Sequence, residues 1–88
     1  MANEVGWTLR AENDLADIWI IAEVRDEIAL SAAQGEDAIR RDPQTIGESR
    51  ERDRRVVFFG QLVIYWEWDR ANQKATIFQI RFNPLGKT

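Results

Sequence analysis

The sequence predicts an α+β domain, with a helical hairpin packed on one face of a mainly antiparallel sheet. Three observations carry this. A stretch near the start alternates apolar and polar residues; two segments of helical period follow; three more alternating segments close the chain. Helices grouped together between strands that tight turns can join settle on one side of a sheet. The expected order is β-α-α-β-β-β, in a single domain over residues 1–88.

Residues 4–10 read EVGWTLR, and Val5, Trp7 and Leu9 have the spacing of a half-buried strand. Residues 11–14 (AEND) supply an N-cap region with acids in the first turn, at the positive end of a helix dipole. Leu15, Ile18, Trp19 and Ala22 then recur at i, i+3, i+4 and i+7, so residues 12–23 read as an amphipathic helix. Glu12, Asp17 and Glu23 should face water. After a break at residues 24–26, Ile28, Ala32, Gly35 and Ile39 mark a second helix over about residues 26–41. Gly35 is unfavourable inside a helix by about 1 kcal/mol; it is either a local flaw or a point where helix and sheet approach closely. Pro43 ends the helix, because the residue before proline avoids the α region. The short connection makes the two helices an antiparallel hairpin.

Residues 44–51 read as an exposed connector. Residues 54–59 form the next strand, and Gly60 with Gln61 makes a tight turn. In residues 62–68, Leu62, Ile64, Trp66 and Trp68 share one face, and Val63, Tyr65 and Glu67 the other. A polar turn over residues 69–73 leads to a last strand over residues 74–82. There strict alternation sets Thr76, Phe78, Ile80 and Phe82 against Ala75, Ile77, Gln79 and Arg81. Residues 84–88 form a tail. The four tryptophans, Trp7, Trp19, Trp66 and Trp68, are expected in the core, where each aromatic buries about 150–250 Å². The sheet face away from the helices stays partly open and is the natural place for a site.

Composition removes whole classes of chemistry. There is no cysteine, so disulfides, thiol catalysis and cysteine metal sites are excluded, and a reducing compartment fits. There is no histidine, the usual general base near neutral pH and the commonest metal ligand. No metal or other cofactor is expected. Hydrophobic content of 44% is too high for a disordered chain. Apolar runs such as residues 56–59 are far too short to span a membrane, and the first residues carry no export signal. A cytoplasmic location is therefore expected.

The net charge of −3 conceals a split. Residues 1–42 hold ten acidic and four basic side chains; residues 43–88 hold five acidic and eight basic. Either the two halves pair internally or they meet a polar partner. The positive charge concentrates where the second helix gives way to the sheet, at Arg41, Arg50, Arg52, Arg54 and Arg55. Arg50, Arg52, Arg54 and Arg55 read either as a site for phosphates or a partner's acids, or as a solvated connector balanced by Glu48, Glu51 and Asp53. Arg55 opens a strand and is expected on the open face. Arg81 either joins Arg55 across the sheet or pairs with Glu67. Glu67 by itself is a weak general-base candidate. Tyr65 is the aromatic expected to be accessible. Asp14, Asp17, Glu23, Asp26 and Glu27 read as a solvated helical face rather than a metal site or a nucleic-acid mimic.

AENDLADIWIIAE in the first helix, RRDPQTIGESR at the exit of the second, RRVVFF and LVIYWEW in the strands, taken in this order, resemble the RelE/ParE superfamily over about residues 5–82. These are toxins of bacterial type II toxin–antitoxin modules, some labelled plasmid stabilisation proteins. The resemblance implies a compact toxin that a cognate antitoxin keeps inactive by laying a helix and an extended segment over it. It implies an essential target: gyrase for ParE-like members, or translation through mRNA cut on the ribosome for RelE-like ones. It leaves room for a homodimer. RelE-like members use basic residues on the sheet, often with a C-terminal tyrosine or histidine. Arg54 or Arg55 matches the first basic position. The chain departs at Val63, where ribonuclease members hold an arginine, and at Asn83, Pro84 and Leu85, where another would follow the last strand. No tyrosine or histidine follows Arg81. The leading expectation is a toxin-like inhibitor. The alternatives are a metal-free endoribonuclease, with Arg55 and Arg81 as catalytic candidates, and a non-toxic protein-binding module.

Overall fold

A computed structural model describes residues 3–84. The chain runs through β1 (Glu4–Trp7), α1 (Leu9–Ile21), α2 (Arg25–Arg41), β2 (Glu48–Glu51), β3 (Arg54–Phe59), β4 (Leu62–Asp69) and β5 (Lys74–Phe82). The five strands make one sheet in the order β1-β5-β4-β3-β2. Pairing is antiparallel except between β1 and β5, which run parallel. The α+β class and the helices on a mainly antiparallel sheet agree with the sequence reading. The expected tail beyond residue 84 lies outside the described residues.

The first helix starts earlier than residues 11–14 imply. Thr8 is its N-cap: the Thr8 hydroxyl accepts from the Ala11 amide at 3.1 Å. The first strand therefore stops at Trp7, and Leu9, expected in it, opens α1. Leu9 is 72% exposed. The buried stripe of α1 is Ala11, Ile18 and Ala22 at the helix end, with Leu15 half-buried against the core. Trp19 falls off this stripe and is 44% exposed, contrary to its expected core place. Trp7 is only half-buried. In α2 the expected stripe holds: Ile28, Ala32, Gly35 and Ile39 are all buried. A Cβ at Gly35 would overlap the Ile64 side chain, so this glycine lets α2 approach β4 closely.

The connector contains a strand that the sequence reading missed. Glu48–Glu51 pairs antiparallel with β3 at the sheet edge. All four of its side chains are exposed and three are charged, so no period of two signals it. Backbone pairing alone defines it. Gly47, with φ of 71°, feeds it, and a Cβ there would collide with the Val56 carbonyl oxygen.

In β4 the expected faces hold at the core side: Leu62, Ile64, Trp66 and Trp68 are buried. In β5 strict alternation fails. Tyr65 faces Gln79, but the next residue, Trp66, faces Ile77, so Phe78 is extra and makes a bulge. Ala75, Ile77 and Ile80 are buried and Phe82 packs against the core, while Thr76, Phe78, Gln79 and Arg81 take the other face. The bulge lets two segments of opposite phase face one core. Past the end of β1, α1 serves the free edge of β5. The Thr8 amide donates to the Ile77 carbonyl at 2.9 Å, and the Ile80 amide donates to Asp14 Oδ2 at 3.1 Å. Asp14, read as a solvated helical acid, is thus a structural acceptor.

Candidate functional site

The exit of α2 is built by two side chains reaching back from the sheet. Trp66, fully buried, donates its indole N–H to the Pro43 carbonyl at 3.2 Å. Arg55 donates through Nε to the Ile46 carbonyl at 2.8 Å and through Nη2 to those of Thr45 and Gly47 at 3.2 and 3.1 Å. Arg55 sits opposite Trp66 in the sheet and so lies on the helix-covered side. The expectation that it points into the open face is corrected: a guanidinium with several donors suits a loop whose carbonyls converge, and this connector supplies three.

The remaining candidates are dispersed. Arg50 lies on the exposed edge strand, beside Glu48 at 3.4 Å. Arg52 occupies the β2–β3 turn with φ of 51°. Arg54 is on the open face, bonded to Glu67 Oε2 at 3.1 Å and lying 5.0 Å from the Phe78 ring centroid. Glu67 therefore pairs with Arg54, across the strand directly opposite, and not with Arg81. Arg81 stands opposite Val63 on the open face, exposed. Tyr65 shares that face, half-buried, its ring 6.3 Å from that of Phe78. A recess of about 210 Å³ lies between Thr8, Arg54, Glu67, Thr76 and Phe78.

The structure thus brings Arg54, Glu67, Tyr65 and Phe78 together and separates Arg55 from Arg81 by the thickness of the sheet. Arg54 and Arg81 share the open face, but their partners Glu67 and Val63 are four residues apart along β4, roughly 13 Å. Arg54 is engaged by Glu67 instead. No group of three or more acids, histidines or cysteines is placed to hold a metal ion among the described residues. No helix is long and apolar enough to cross a membrane.

A further surface feature was not among the candidates. Trp7, Leu15, Ala16, Trp19, Ile20 and Ala29, with Glu12 as the one charged residue, line a mainly apolar groove of about 680 Å³ along the helical hairpin. Ile20 and Ile21 are 62% and 68% exposed, and Val24 and Leu30 are also open to solvent. The signal was legible: residues 18–21 read IWII, which is more apolar surface than one buried stripe needs. Arg25 lies 4.6 Å over the Trp19 ring and donates to the Trp19 and Ile20 carbonyls, closing the C-terminal end of α1.

Behind the groove, Trp7 donates its indole N–H to Glu36 at 2.6 Å, and Arg40 bonds the same carboxylate at 2.9 Å. Burial works against the ionised Glu36, but the Trp7 and Arg40 bonds and the Arg40 charge outweigh it and hold its carboxyl below the usual range.

The same architecture occurs in a chain of the toxin–antitoxin complex RelBE2 from Mycobacterium tuberculosis, with a TM-score of 0.77 and 15% sequence identity over 96% of this chain and 94% of that one. It occurs also in a chain of the chromosomal ParDE toxin–antitoxin system of P. aeruginosa, with a TM-score of 0.71 and 13% identity over 91% and 95%. No family model and no curated protein matches the sequence. At these identities the likeness shows the fold: the chain has a RelE/ParE-like architecture.

Proposed function

We propose that this chain is the toxin-like component of a type II toxin–antitoxin module, active in the cytoplasm and neutralised by a cognate antitoxin. One observation supports this above the others. A chain with the fold of two toxin–antitoxin proteins carries a wide apolar groove on its helical hairpin. Exposed apolar surface of this kind marks a protein-binding site, and an amphipathic helix laid into the groove is the occupant it fits. The open sheet face, with Arg54, Tyr65, Phe78 and Arg81, is the surface left for an essential target, of the gyrase type or in translation. Binding there inhibits by occlusion.

The endoribonuclease alternative, with Arg54, Arg55 and Arg81 as its cationic groups, has less support, because Arg55 lies on the side of the sheet opposite to Arg54 and Arg81. A non-toxic binding module keeps the groove but needs no target. Growth of a bacterium expressing this chain, alone and with the neighbouring open reading frame, tests the proposal. Arrest that the neighbour's product relieves is the expected result. Normal growth at demonstrated soluble expression overturns the toxin and leaves the binding module. Intact mRNA in arrested cells separates inhibition by binding from cleavage.

A further inference from the structure

A second recess lies at the turn end of the sheet, where the β2–β3 turn meets the end of β4, and shares no lining residue with the apolar groove. It measures about 140 Å³ and is lined by Gln44, Arg52, Asp53, Arg55, Trp68 and Arg70. Arg52, Arg55 and Arg70 line it beside one acid, Asp53, and it adjoins a wider recess of about 570 Å³ that shares Arg52, Asp53, Trp68 and Arg70 and adds Glu51, Arg54, Glu67 and Asp69. Arg52 and Arg70 form no ion pair among the described residues. Arg55 spends Nε and Nη2 on the connector carbonyls.

Trp68 supplies the second observation. It is only 5% exposed, and its indole Nε1–H is buried with no acceptor among the described residues. The other deeply buried indole, that of Trp66, has the Pro43 carbonyl, and that of Trp7 has Glu36. Buried polar groups are bonded in the great majority of cases, and an unmade bond at such a donor is destabilising. A tryptophan with an unbonded indole N–H thus forms part of the wall of a recess where Arg52 and Arg70 form no ion pair among the described residues.

We propose that this recess binds a phosphate group, held by Arg52, Arg70 and Arg55 against the wall that Trp68 forms. The recess has the room of about four to five waters, enough for one such group. Its lining comes from the α2–β2 connector, the β2–β3 turn, the start of β3, the end of β4 and the following turn. Donors arranged around a point suit a tetrahedral anion, whereas a planar carboxylate is best met from one side. The phosphate is either free or part of a nucleic-acid backbone. The site uses none of the residues assigned to the target face, so it stands or falls independently of the toxin reading.

The test follows the indole N–H resonances of the folded protein by NMR, with Trp68 assigned from its loss in Trp68→Phe. Inorganic phosphate, a short single-stranded RNA and sodium acetate are added separately. A saturable shift of the Trp68 indole, larger than those of Trp7, Trp19 and Trp66, is expected with phosphate, with the RNA, or with both. Phosphate alone identifies a free ligand; the RNA alone identifies a backbone phosphate. In Arg52→Gly, which suits the positive φ of that turn, and in Arg70→Ala, affinity should fall about tenfold each while the other three indoles keep their positions. No selective shift with either phosphate source overturns the site, as does an equal or larger shift with acetate or undiminished binding by both Arg52→Gly and Arg70→Ala.

Discussion

The Asp14 carboxylate in α1 accepts from the Ile80 amide in β5 at 3.1 Å, two residues past the Phe78 bulge. This bond joins the first helix to the strand at the point where the strand changes phase. β1 ends opposite Ile77, so without Asp14 the Ile80 N–H would face no strand. A helical acid and a β-bulge are thus parts of one device.

Asp14→Ala should therefore destabilise the fold by about 1–3 kcal/mol, because it leaves a part-buried amide without its acceptor. Asp14→Asn keeps an acceptor oxygen and should lose less. Urea unfolding of the two variants measures the difference; equal stability of Asp14→Ala and the parent would remove the bond from the account of the bulge.

Gly35→Ala sets two effects against each other. Helix propensity favours alanine by about 1 kcal/mol. Overlap with Ile64 opposes it, at about 1–3 kcal/mol for an overpacked core. Net destabilisation is the expected outcome, read as a lower thermal midpoint. Adding Ile64→Val should recover part of the loss.

The Glu36 carboxyl ionises more readily in the folded chain than its ordinary value of 4.5. Its ionised form thus contributes stability that is fully present above that ordinary value. The contribution disappears as the pH falls through the lowered folded value. Glu36→Gln should be less stable than the parent at neutral pH, and the two should converge on the acid side. Urea midpoints taken across that range give the test, and a constant gap would exclude Glu36 as the source.

Arg55→Ala removes three bonds to connector carbonyls and should lose about 1–2 kcal/mol, with faster proteolysis at residues 44–47. Arg55→Lys should not restore it, since an ammonium lacks the planar fork. Arg54→Ala, which loses only an exposed ion pair and a ring contact, should leave stability within about 0.5 kcal/mol.

Ile20→Asp places a charge in the apolar groove at a residue that is mostly exposed. The fold should keep its thermal midpoint, and affinity for the proposed antitoxin, the neighbouring gene's product, should drop by at least about tenfold, as seen by calorimetry. Retained affinity would move the antitoxin elsewhere.

Local pattern was enough for the parts of this chain whose side chains repeat with a period. The Ile28, Ala32, Gly35, Ile39 stripe, the Pro43 stop, the Gly60 turn and the buried face of β4 were all legible, because burial of one face forces a repeat into the sequence. The excess of isoleucine around Trp19 announced an exposed apolar face, although one stripe was enough to satisfy the helical reading. Tertiary structure alone decided the rest. Strand β2 carries charges on both sides and exists through backbone pairing with β3, which leaves no trace in residue type. The bulge at Phe78 inverts the phase of β5 by fitting Asp14 and the end of β1, both distant in sequence. Arg54 and Arg55 are adjacent and chemically identical, yet one faces Phe78 and the other caps a helix exit. A strand sends neighbours to opposite sides, and only the placement of the helices determines which side is covered.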